Sequence, residues 1–179
     1  LLGKTLSEVS AAISSFPSVP GRLERVDIDS AASLYIDYAH TADALHKTLL
    51  ALRQIAQKRI ITVFGCGGNR DKEKRKPMGR IAEELSDLSI ITSDNPRGED
   101  PSIICEEISQ GFTSEEKYII QPDRTEAIRY ALDIAQDGDI ILLAGKGHET
   151  HQILQHQTIP FDEKHIVMKL CHEKCSTLQ

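Results

Sequence analysis

The sequence lacks any hydrophobic run of the roughly 18 to 20 residues that a membrane-spanning helix requires. It also lacks an excess of positive charge, because 21 Lys and Arg stand against 27 Asp and Glu and the formal net charge is −6. This balance argues against a nucleic-acid or anionic-membrane surface as the main role of the protein. No internal repeat or low-complexity segment stands out, and the 179 residues fit one domain with a short extra segment at one end.

Two common nucleotide-binding fingerprints are absent as well. The stretch Gly65-Cys66-Gly67-Gly68 lacks the G-x-G-x-x-G spacing of dinucleotide-binding folds. Neither this stretch nor Gly145-Lys146-Gly147-His148 supplies the G-x-x-x-x-G-K-[ST] pattern of a phosphate-binding loop. The chain by itself therefore predicts no cradle for a nucleoside triphosphate. Two interpretations of the first stretch stay open, a loose phosphate loop and a tight turn that needs positive φ.

Cysteine is sparse, with four residues scattered among ordinary secondary-structure signals: Cys66, Cys105, Cys171 and Cys175. This distribution predicts reduced thiols in a cytosolic protein. Cys171 and Cys175 lie near His165 and His172, which leaves a metal site as the alternative. The same spacing fits an amphipathic C-terminal helix, so no metal site is predicted.

What the sequence does contain, beyond residue 21, is a regular alternation of apolar runs and amphipathic stretches. The predicted strands are Ser33–Tyr38, Arg59–Phe64, Leu88–Thr92, Tyr118–Ile120 and Ile140–Ala144. The predicted helices are Thr41–Gln57, Pro77–Ser86, Pro101–Gln110, Arg124–Gln136 and about Glu163–Cys175. A terminal hairpin or edge pair is predicted over Gln152–Phe161. This order predicts an α/β fold with a mainly parallel sheet and helices on both of its faces.

Residues 1–20 do not fit the start of that sheet. Leu2, Leu6, Val9 and Ile13 recur at helical spacing, which predicts an amphipathic helix over Thr5–Ser15. Phe16-Pro17-Ser18-Val19-Pro20-Gly21 then breaks the helix and is typical of a linker. We expect this segment to be the tail of a preceding domain followed by a hinge.

Polar or glycine-rich clusters follow four of the predicted strands. These are Asp37-Tyr38-Ala39-His40-Thr41, Gly65-Cys66-Gly67-Gly68-Asn69-Arg70-Asp71, Ser93-Asp94-Asn95-Pro96-Arg97 and Gly145-Lys146-Gly147-His148-Glu149. Because the carboxyl ends of parallel strands meet at one edge of a sheet, one composite site is expected there.

The cluster Ser93–Arg97 suits a zwitterion such as an amino acid. The planar guanidinium of Arg97 can hold a carboxylate with two hydrogen bonds. Asp94 and Asn95 can accept hydrogen bonds from the ammonium group of the same ligand. The sequence therefore predicts an amino-acid site at the end of the third strand.

Several neighbouring residues admit two interpretations. Arg70 is either half of a surface pair with Asp71 or a second grip on an anion. His40 is either the first residue of a helix capped by Thr41 or a nucleotide contact. Glu149 either accepts an amine or is an exposed loop carboxylate. The following basic run favours a solvated loop over a phosphate clamp: Lys72, Lys74, Arg75 and Lys76.

Five blocks together resemble the C-terminal domain of the Mur ligases. They are Gly21-Arg22-Leu23-Glu24, Asp37-Tyr38-Ala39-His40-Thr41, Phe64-Gly65-Cys66-Gly67-Gly68-Asn69-Arg70-Asp71, Asp94-Asn95-Pro96-Arg97 and Ala144-Gly145-Lys146-Gly147-His148-Glu149. They run in the order of the family and cover nearly the whole chain from Gly21 onward. Within the family the resemblance is strongest to the branch that adds meso-diaminopimelate. Asn69 replaces an acidic residue expected in some relatives.

The resemblance implies a Rossmann-like domain with a mostly parallel sheet of about six strands, which carries the incoming amino acid. It implies ATP-dependent amide formation between meso-diaminopimelate and UDP-N-acetylmuramoyl-L-alanyl-D-glutamate, in bacterial peptidoglycan synthesis in the cytoplasm. Residues 21–179 would form this domain, and residues 1–20 would be the last helix of a central domain plus a hinge. That central domain would hold ATP and Mg²⁺ and is not in this sequence, so the chain alone is expected to be inactive.

The resemblance also implies roles for individual residues. Those expected to contact diaminopimelate are Arg70, Asp94, Asn95, Pro96, Arg97, Gly145 and Glu149, with Arg70 at the reacting end. Those expected on the nucleotide side of the cleft are Arg22, Asp37 and His40. No residue of the chain is expected to be catalytic itself.

Arg97 is expected to select diaminopimelate over lysine, which lacks the distal carboxylate. A buried guanidinium without that carboxylate would be left uncompensated, so lysine should be rejected. Arg97→Ala should in turn cost about 2 to 5 kcal/mol of diaminopimelate affinity. The alternatives are another Mur or folylpolyglutamate-type amide ligase and a stand-alone amino-acid-binding module. A nicotinamide-dependent dehydrogenase is disfavoured by the glycine spacing.

Overall fold

The computed structural model of the protein describes residues 3–15, 18–28 and 32–177, with side chains through Lys174. Its main sheet consists of β1 (Glu24–Val26), β2 (Ser33–Asp37), β3 (Ile60–Phe64), β4 (Leu88–Ile91), β5 (Tyr118–Ile120) and β6 (Ile140–Ala144). The spatial order is β1-β2-β6-β3-β4-β5. β1 runs antiparallel to β2, and the other neighbouring pairs are parallel. The predicted α/β fold, with a mostly parallel sheet of about six strands, is confirmed.

The helices of the described residues are α1 (Leu6–Ser14), α2 (Ala42–Ile55), α3 (Arg75–Leu85), α4 (Pro101–Ser109), α5 (Arg124–Ile134) and α6 (Glu163–Thr177). A hairpin of β7 (His151–Ile153) and β8 (Thr158–Pro160) precedes α6, as the sequence predicts. The predicted elements differ from these only at their ends. β1 is the strand that the sequence pattern misses, because its three residues lie at the sheet edge without an apolar run.

Both faces of the sheet are covered by helices, which explains the continuous apolar runs of its central strands. Every residue of β3 and β6 is buried. Along β6, Ile140 and Leu142 pack with α2, α3 and α4, whereas Ile141 and Leu143 pack with α5 and α6. Full burial of one such side chain contributes about 1.5–3 kcal/mol. The two clusters hold the strands rigidly, so the loops at their carboxyl ends are built on a fixed frame.

Helix α1 is well capped but makes no buried contact. Thr5 and Glu8 form a capping box, in which each side chain accepts from the backbone N–H of the other residue. Leu6, Val9 and Ile13 are exposed. Leu2, Phe16 and Pro17 lie outside the described residues, so the linker prediction is described only from Ser18 onward. Among the described helices, none combines the length and the apolarity needed to cross a membrane.

The basic run after Asp71 is not simply solvated. The guanidinium of Arg75 is fully buried at the start of α3, where it pairs with Glu99 and Glu107. Lys72 also pairs with Glu99, at 3.1 Å. The prediction of a solvated loop is therefore wrong for Arg75, because two carboxylates compensate its charge inside the protein. These pairs join the loop after β3 to the loop after β4.

Candidate functional site

The four sequence clusters meet at one edge of the sheet, as the parallel topology predicts. Adjacent clusters are joined by backbone hydrogen bonds at that edge. The Gly145 N–H donates to the carbonyl of Asp37 at 3.0 Å, which joins the ends of β2 and β6. The Gly68 N–H donates to the carbonyl of Asn95 at 2.9 Å, which joins the loops after β3 and β4. The strand ends therefore form one composite site rather than four separate ones.

Lys146 lies at the centre of this edge and is fully buried. Its Nζ is 3.1 Å from Asn95 Oδ1 and 3.3 Å from Glu149 Oε2. It is 3.5 Å from Asp94 Oδ1, within ion-pair distance. The sequence analysis assigned Lys146 no role, although a lysine between two glycines directly after a wholly apolar strand was a usable signal.

Glu149 belongs to the same cluster. Its Oε2 accepts from Asn95 Nδ2 at 2.8 Å as well as from Lys146, and its side chain is 25% exposed. The alternative of an exposed loop carboxylate is wrong, because the carboxylate is held by two donors. Asn95 Oδ1 also accepts from the Ile153 N–H at 2.9 Å. Both ends of the Asn95 amide are thus bonded within the protein, and its direct contact with a ligand stays a prediction.

Asp94 differs from its neighbours because it keeps unused hydrogen-bonding capacity. Its side chain is only 10% exposed, yet Oδ1 has no hydrogen-bond partner among the described residues. A buried carboxylate oxygen in a folded protein normally accepts at least one hydrogen bond. Gly145, whose φ is +117°, lies beside this carboxylate with no side chain of its own. The described residues therefore leave part of the hydrogen-bonding capacity of Asp94 unused, and its contact with a ligand ammonium stays a prediction.

The glycine-rich stretch after β3 serves close approach rather than an unusual backbone conformation. Gly65, Gly67 and Gly68 do not have positive φ, so the alternative of a turn that needs positive φ at these glycines is wrong, although the next residue, Asn69, has φ of 53°. A Cβ on Gly68 would lie 1.9 Å from the carbonyl oxygen of Pro96. The absence of a side chain lets the two loops touch. Pro96 is buried at this contact.

Arg97 is half-buried and adopts a left-handed backbone conformation, with φ of 51°. Its Nη1 donates to the carbonyls of Gly68 at 3.0 Å and Asn95 at 3.3 Å. The prediction of a buried guanidinium left uncompensated is wrong in this respect, since the group is partly solvated and has two acceptors. The remaining N–H donors of Arg97 can still bind a ligand carboxylate. The free-energy cost of lacking that carboxylate is smaller than it would be for a fully buried guanidinium without acceptors.

Arg70 is exposed on the loop next to Arg97. Its Nη1 lies 3.5 Å from the carbonyl of Asn69, and no ion pair with Asp71 occurs among the described residues. A Cβ on Gly67 would contact both Arg97 and Arg70, so both arginine side chains pass close to the Gly67 backbone. Asn69 ties this loop down, because its Oδ1 accepts from the Gly98 N–H at 2.8 Å. The two arginines together suit a ligand with two carboxylates.

Asp37 is a structural anchor at the end of β2. Its Oδ2 accepts from the Leu23 N–H at 2.7 Å, and its Oδ1 accepts from the Ala39 N–H and the Thr48 hydroxyl. These bonds hold the Gly21 loop and α2 against the sheet edge. The placement of Asp37 on the nucleotide side of a cleft stays a prediction.

An aromatic surface lies beside Asp37. The ring centroids of Tyr38 and His40 are 4.5 Å apart, and that of His148 lies 5.3 Å from the centroid of Tyr38. The guanidinium carbon of Arg22 is 4.9 Å from the centre of the Tyr38 ring, in cation–π geometry. His40 Nδ1 donates to the carbonyl of Tyr38 at 2.8 Å, which fixes its ring. Arg22 and His40 are thus brought together by Tyr38, which the sequence analysis did not single out.

A buried ion pair supports the site from below. The Arg124 guanidinium bonds to Glu163 Oε1 at 2.8 Å and to the carbonyls of Ser93 and Ala144. Those carbonyls directly precede Asp94 and Gly145. Burial raises the pKa of the Glu163 carboxyl, and the adjacent guanidinium opposes this shift. Arg124 thereby fixes the ends of β4 and β6 relative to each other.

The cysteines take no part in this site. Burial raises the pKa of the Cys66 and Cys105 thiols to about 12, which leaves them protonated. Cys171 is half-buried on α6, and the Cys175 side chain lies outside the described part. No group of three or more His, Cys, Asp or Glu side chains suited to a metal ion occurs among the described residues.

Comparisons with known proteins agree with the geometry. Residues 21–147 match the family described as Mur ligase, glutamate ligase domain. A curated relative from Alkaliphilus oremlandii (strain OhILAs), named UDP-N-acetylmuramoyl-L-alanyl-D-glutamate--2,6-diaminopimelate ligase, is 48% identical over 97% of this chain and 36% of its own length. A relative of the same name from Geobacillus kaustophilus (strain HTA426) is 43% identical over 96% of this chain and 35% of its own length. The chain thus spans little more than a third of these relatives.

Solved structures show the same similarity. A structure of a UDP-N-acetylmuramoyl-L-alanyl-D-glutamate--2,6-diaminopimelate ligase superposes with a TM-score of 0.83 at 36% identity, over 97% of this chain and 36% of that one. A bifunctional folylpolyglutamate synthase/dihydrofolate synthase from Yersinia pestis CO92 covers 99% of this chain and 36% of its own, with a TM-score of 0.60 at 18% identity. The second likeness concerns the fold alone.

Proposed function

The chain belongs to the Mur ligase family, and on that premise we propose that it is the amino-acid-binding domain of an ATP-dependent ligase. The proposed reaction joins meso-diaminopimelate to the glutamyl carboxylate of UDP-N-acetylmuramoyl-L-alanyl-D-glutamate in peptidoglycan synthesis. The observation that carries this proposal is the buried cluster of Asp94, Lys146 and Glu149 beside Arg97 and Arg70. The names of the curated bacterial relatives support the same substrates.

In this proposal the chain binds and orients the amino acid. Asp94 and Glu149 accept hydrogen bonds from one ammonium group, and Arg97 meets the carboxylate on the same distal carbon. Arg70 holds the carboxylate at the reacting end. Holding the second amine near the activated glutamyl carbon provides a high effective concentration, and excluding water protects the activated carboxylate from hydrolysis.

ATP supplies the phosphate that activates the glutamyl carboxylate, and the amine then displaces phosphate to form the amide. Exposed Arg22 and the half-buried rings of Tyr38 and His40 form a surface whose cationic and aromatic character suits a nucleotide. Asp37 would support this surface from behind. Mg²⁺ is proposed to be bound mainly by the central domain of the ligase rather than by residues of this chain.

Residues 1–20 are proposed to be the last helix of a central ATP-binding domain and the start of a hinge that ends near Gly21. The exposed apolar side chains of α1 support this assignment, because nothing in the described chain covers them. Closure about the hinge would bring the amino acid to the activated carboxylate. A reaction that consumes ATP and a nucleotide-linked precursor is expected in the bacterial cytoplasm.

The test is phosphate release by the full-length protein that contains this chain, with mass spectrometry of the product. We expect an amide product that requires ATP, the UDP-linked dipeptide and meso-diaminopimelate together. Turnover with folate and glutamate, or with another amino acid in preference to diaminopimelate, would replace this proposal by a different amide ligase. The 179-residue chain alone is expected to give no ligase or ATPase turnover, which serves as the negative control.

A further inference from the structure

We propose that Lys146 is a positioning residue that sets the charge and the geometry of the ammonium pocket formed by Asp94 and Glu149. This inference rests on the proposed function, because it concerns how the same pocket binds its amino acid. Lys146 need not touch the ligand. It acts through the two carboxylates that do.

The geometry of Lys146 supports this role. A lysine ammonium has three N–H donors and no acceptor. The three nearest acceptors of Lys146 Nζ are Asn95 Oδ1, Glu149 Oε2 and Asp94 Oδ1, at 3.1, 3.3 and 3.5 Å. The side chain is 0% exposed, so solvent provides no alternative partner. Lys146 therefore fixes the two carboxylates relative to each other and to Asn95.

The net charge of the ammonium pocket supports the same role for Lys146. Two carboxylates and one ammonium leave the pocket with a local charge of −1, which matches a single ligand ammonium. Without Lys146 the pocket would hold two carboxylates and no contacting cation in a mostly buried setting, where like charges repel. The pocket would then lose its shape before any ligand arrived.

The surroundings do not replace Lys146. Behind the pocket, Arg124 and Glu163 neutralise each other as a buried pair. The ring of Phe161 lies 5.7 Å from Nζ and offers only a weak cation–π contact. The guanidinium of Arg97 points its Nη1 at two backbone carbonyls rather than at the carboxylates. Lys146 is therefore the described cation that directly contacts both Asp94 and Glu149.

The deciding experiment compares Lys146→Met with Lys146→Arg in the full-length enzyme. Methionine keeps the length of the side chain without its charge, whereas arginine keeps the charge in a larger shape. We expect K146M to raise KM for diaminopimelate at least tenfold, with KM for ATP within twofold of wild type. K146R should recover part of this loss. Lys47→Met is the matched control, because Lys47 pairs with Asp43 on the exposed side of α2 and its loss should leave both values unchanged.

A packing role would give the reverse order, with K146M near wild type and K146R impaired, and that result overturns the inference. An equal rise in KM for ATP overturns it as well. If K146M is unstable, the double variant Lys146→Met with Glu149→Gln decides, since it removes the ammonium and one carboxylate together. The double variant should melt at a higher temperature than K146M, and a lower melting temperature contradicts the inference. Failure of the wild-type enzyme to use diaminopimelate would instead remove the proposed function.

Discussion

At the scale of single residues, the site consists of buried charges whose partners can be identified. Lys146 and Arg124 are both fully buried, and each contacts a carboxylate and the end of a strand loop. A buried charge is costly unless it is paired, so each cation makes its partner necessary. The positions of Asp94 and Gly145 thus depend on two buried side chains that need not contact the ligand.

Arg124 gives the first prediction. Arg124→Met leaves Glu163 buried without its partner and frees the carbonyls of Ser93 and Ala144. We expect a loss of about 3–5 kcal/mol in the free energy of unfolding, measured by urea denaturation of the chain. Arg129→Met removes an exposed cation from the same helix and is the matched control, expected to change stability far less. Similar losses in both variants would show that the buried pair contributes no more to the free energy of unfolding than an exposed cation does.

Glu99 gives a prediction of pH dependence. Burial opposes its ionisation, but hydrogen bonds from the Asn69 N–H, Lys72 and Arg75 outweigh burial and lower the pKa to about 2. A lowered folded-state pKa stabilises the protein above the unfolded value near 4.5, and this contribution is lost as pH falls toward 2. The free energy of unfolding of the wild type should exceed that of Glu99→Gln by about 1–2 kcal/mol at pH 7, and by less at pH 3.5. A difference that grows on acidification contradicts this linkage.

Residue types at strand ends could be recognised from the sequence, but their partners could not. Asp94, Asn95 and Glu149 all read as ligand groups, yet only Asp94 has a buried oxygen without a hydrogen bond among the described residues. Arg75 read as solvated because its partner Glu107 is distant along the chain. Which polar groups are satisfied internally depends on long-range packing, and local sequence does not contain that information.

At the scale of elements, the loops after β3 and β4 and the hairpin β7–β8 form one assembly. Gln152 of β7 donates to the carbonyl of Asp94 at 2.7 Å and to the Ser93 hydroxyl at 3.1 Å. The Arg97 N–H donates to the carbonyl of Ile153 at 3.0 Å. The hairpin therefore supports the outer side of the amino-acid loop. Its existence was predictable from sequence, whereas its docking on that loop was not.

Substitutions at two glycines of the loop after β3 are expected to have different effects, one on stability and one on ligand binding. A Cβ on Gly68 meets the backbone of Pro96 at 1.9 Å, so Gly68→Ala must move a loop and should cost about 1–3 kcal/mol of stability. A Cβ on Gly67 meets the end of the Arg97 side chain at 2.9 Å, and that flexible side chain can move aside, whereas its other neighbours lie at ordinary van der Waals distance. Gly67→Ala should therefore preserve stability and weaken diaminopimelate binding. Urea denaturation measures the change in stability, and KM for diaminopimelate in the full-length enzyme measures the change in binding. A stability loss in Gly67→Ala with none in Gly68→Ala would contradict the role given to this loop.

At the scale of the whole molecule, the chain presents two surfaces at one sheet edge. The charged pocket of Asp94, Lys146 and Glu149 suits an amino acid, and the neighbouring surface of Arg22, Tyr38 and His40 suits a nucleotide. The parallel topology could be predicted from the alternation of apolar runs, and it alone implies that these groups share an edge. The exposed apolar side chains of α1 fit the proposal that this helix packs against another domain.

Arg97 is proposed to bind the second carboxylate of the amino acid, and kcat/KM for diaminopimelate and for lysine tests this role. The full-length enzyme would be compared with Arg97→Ala and with Arg25→Ala, an exposed arginine of β1, as the control. Because Arg97 is half-buried with two backbone acceptors, we expect a loss of about 1.5–3 kcal/mol for diaminopimelate, roughly tenfold or more. Activity with lysine should stay unchanged, so the preference between the two substrates narrows. An equal fall with both substrates, or an unchanged preference, would contradict the account.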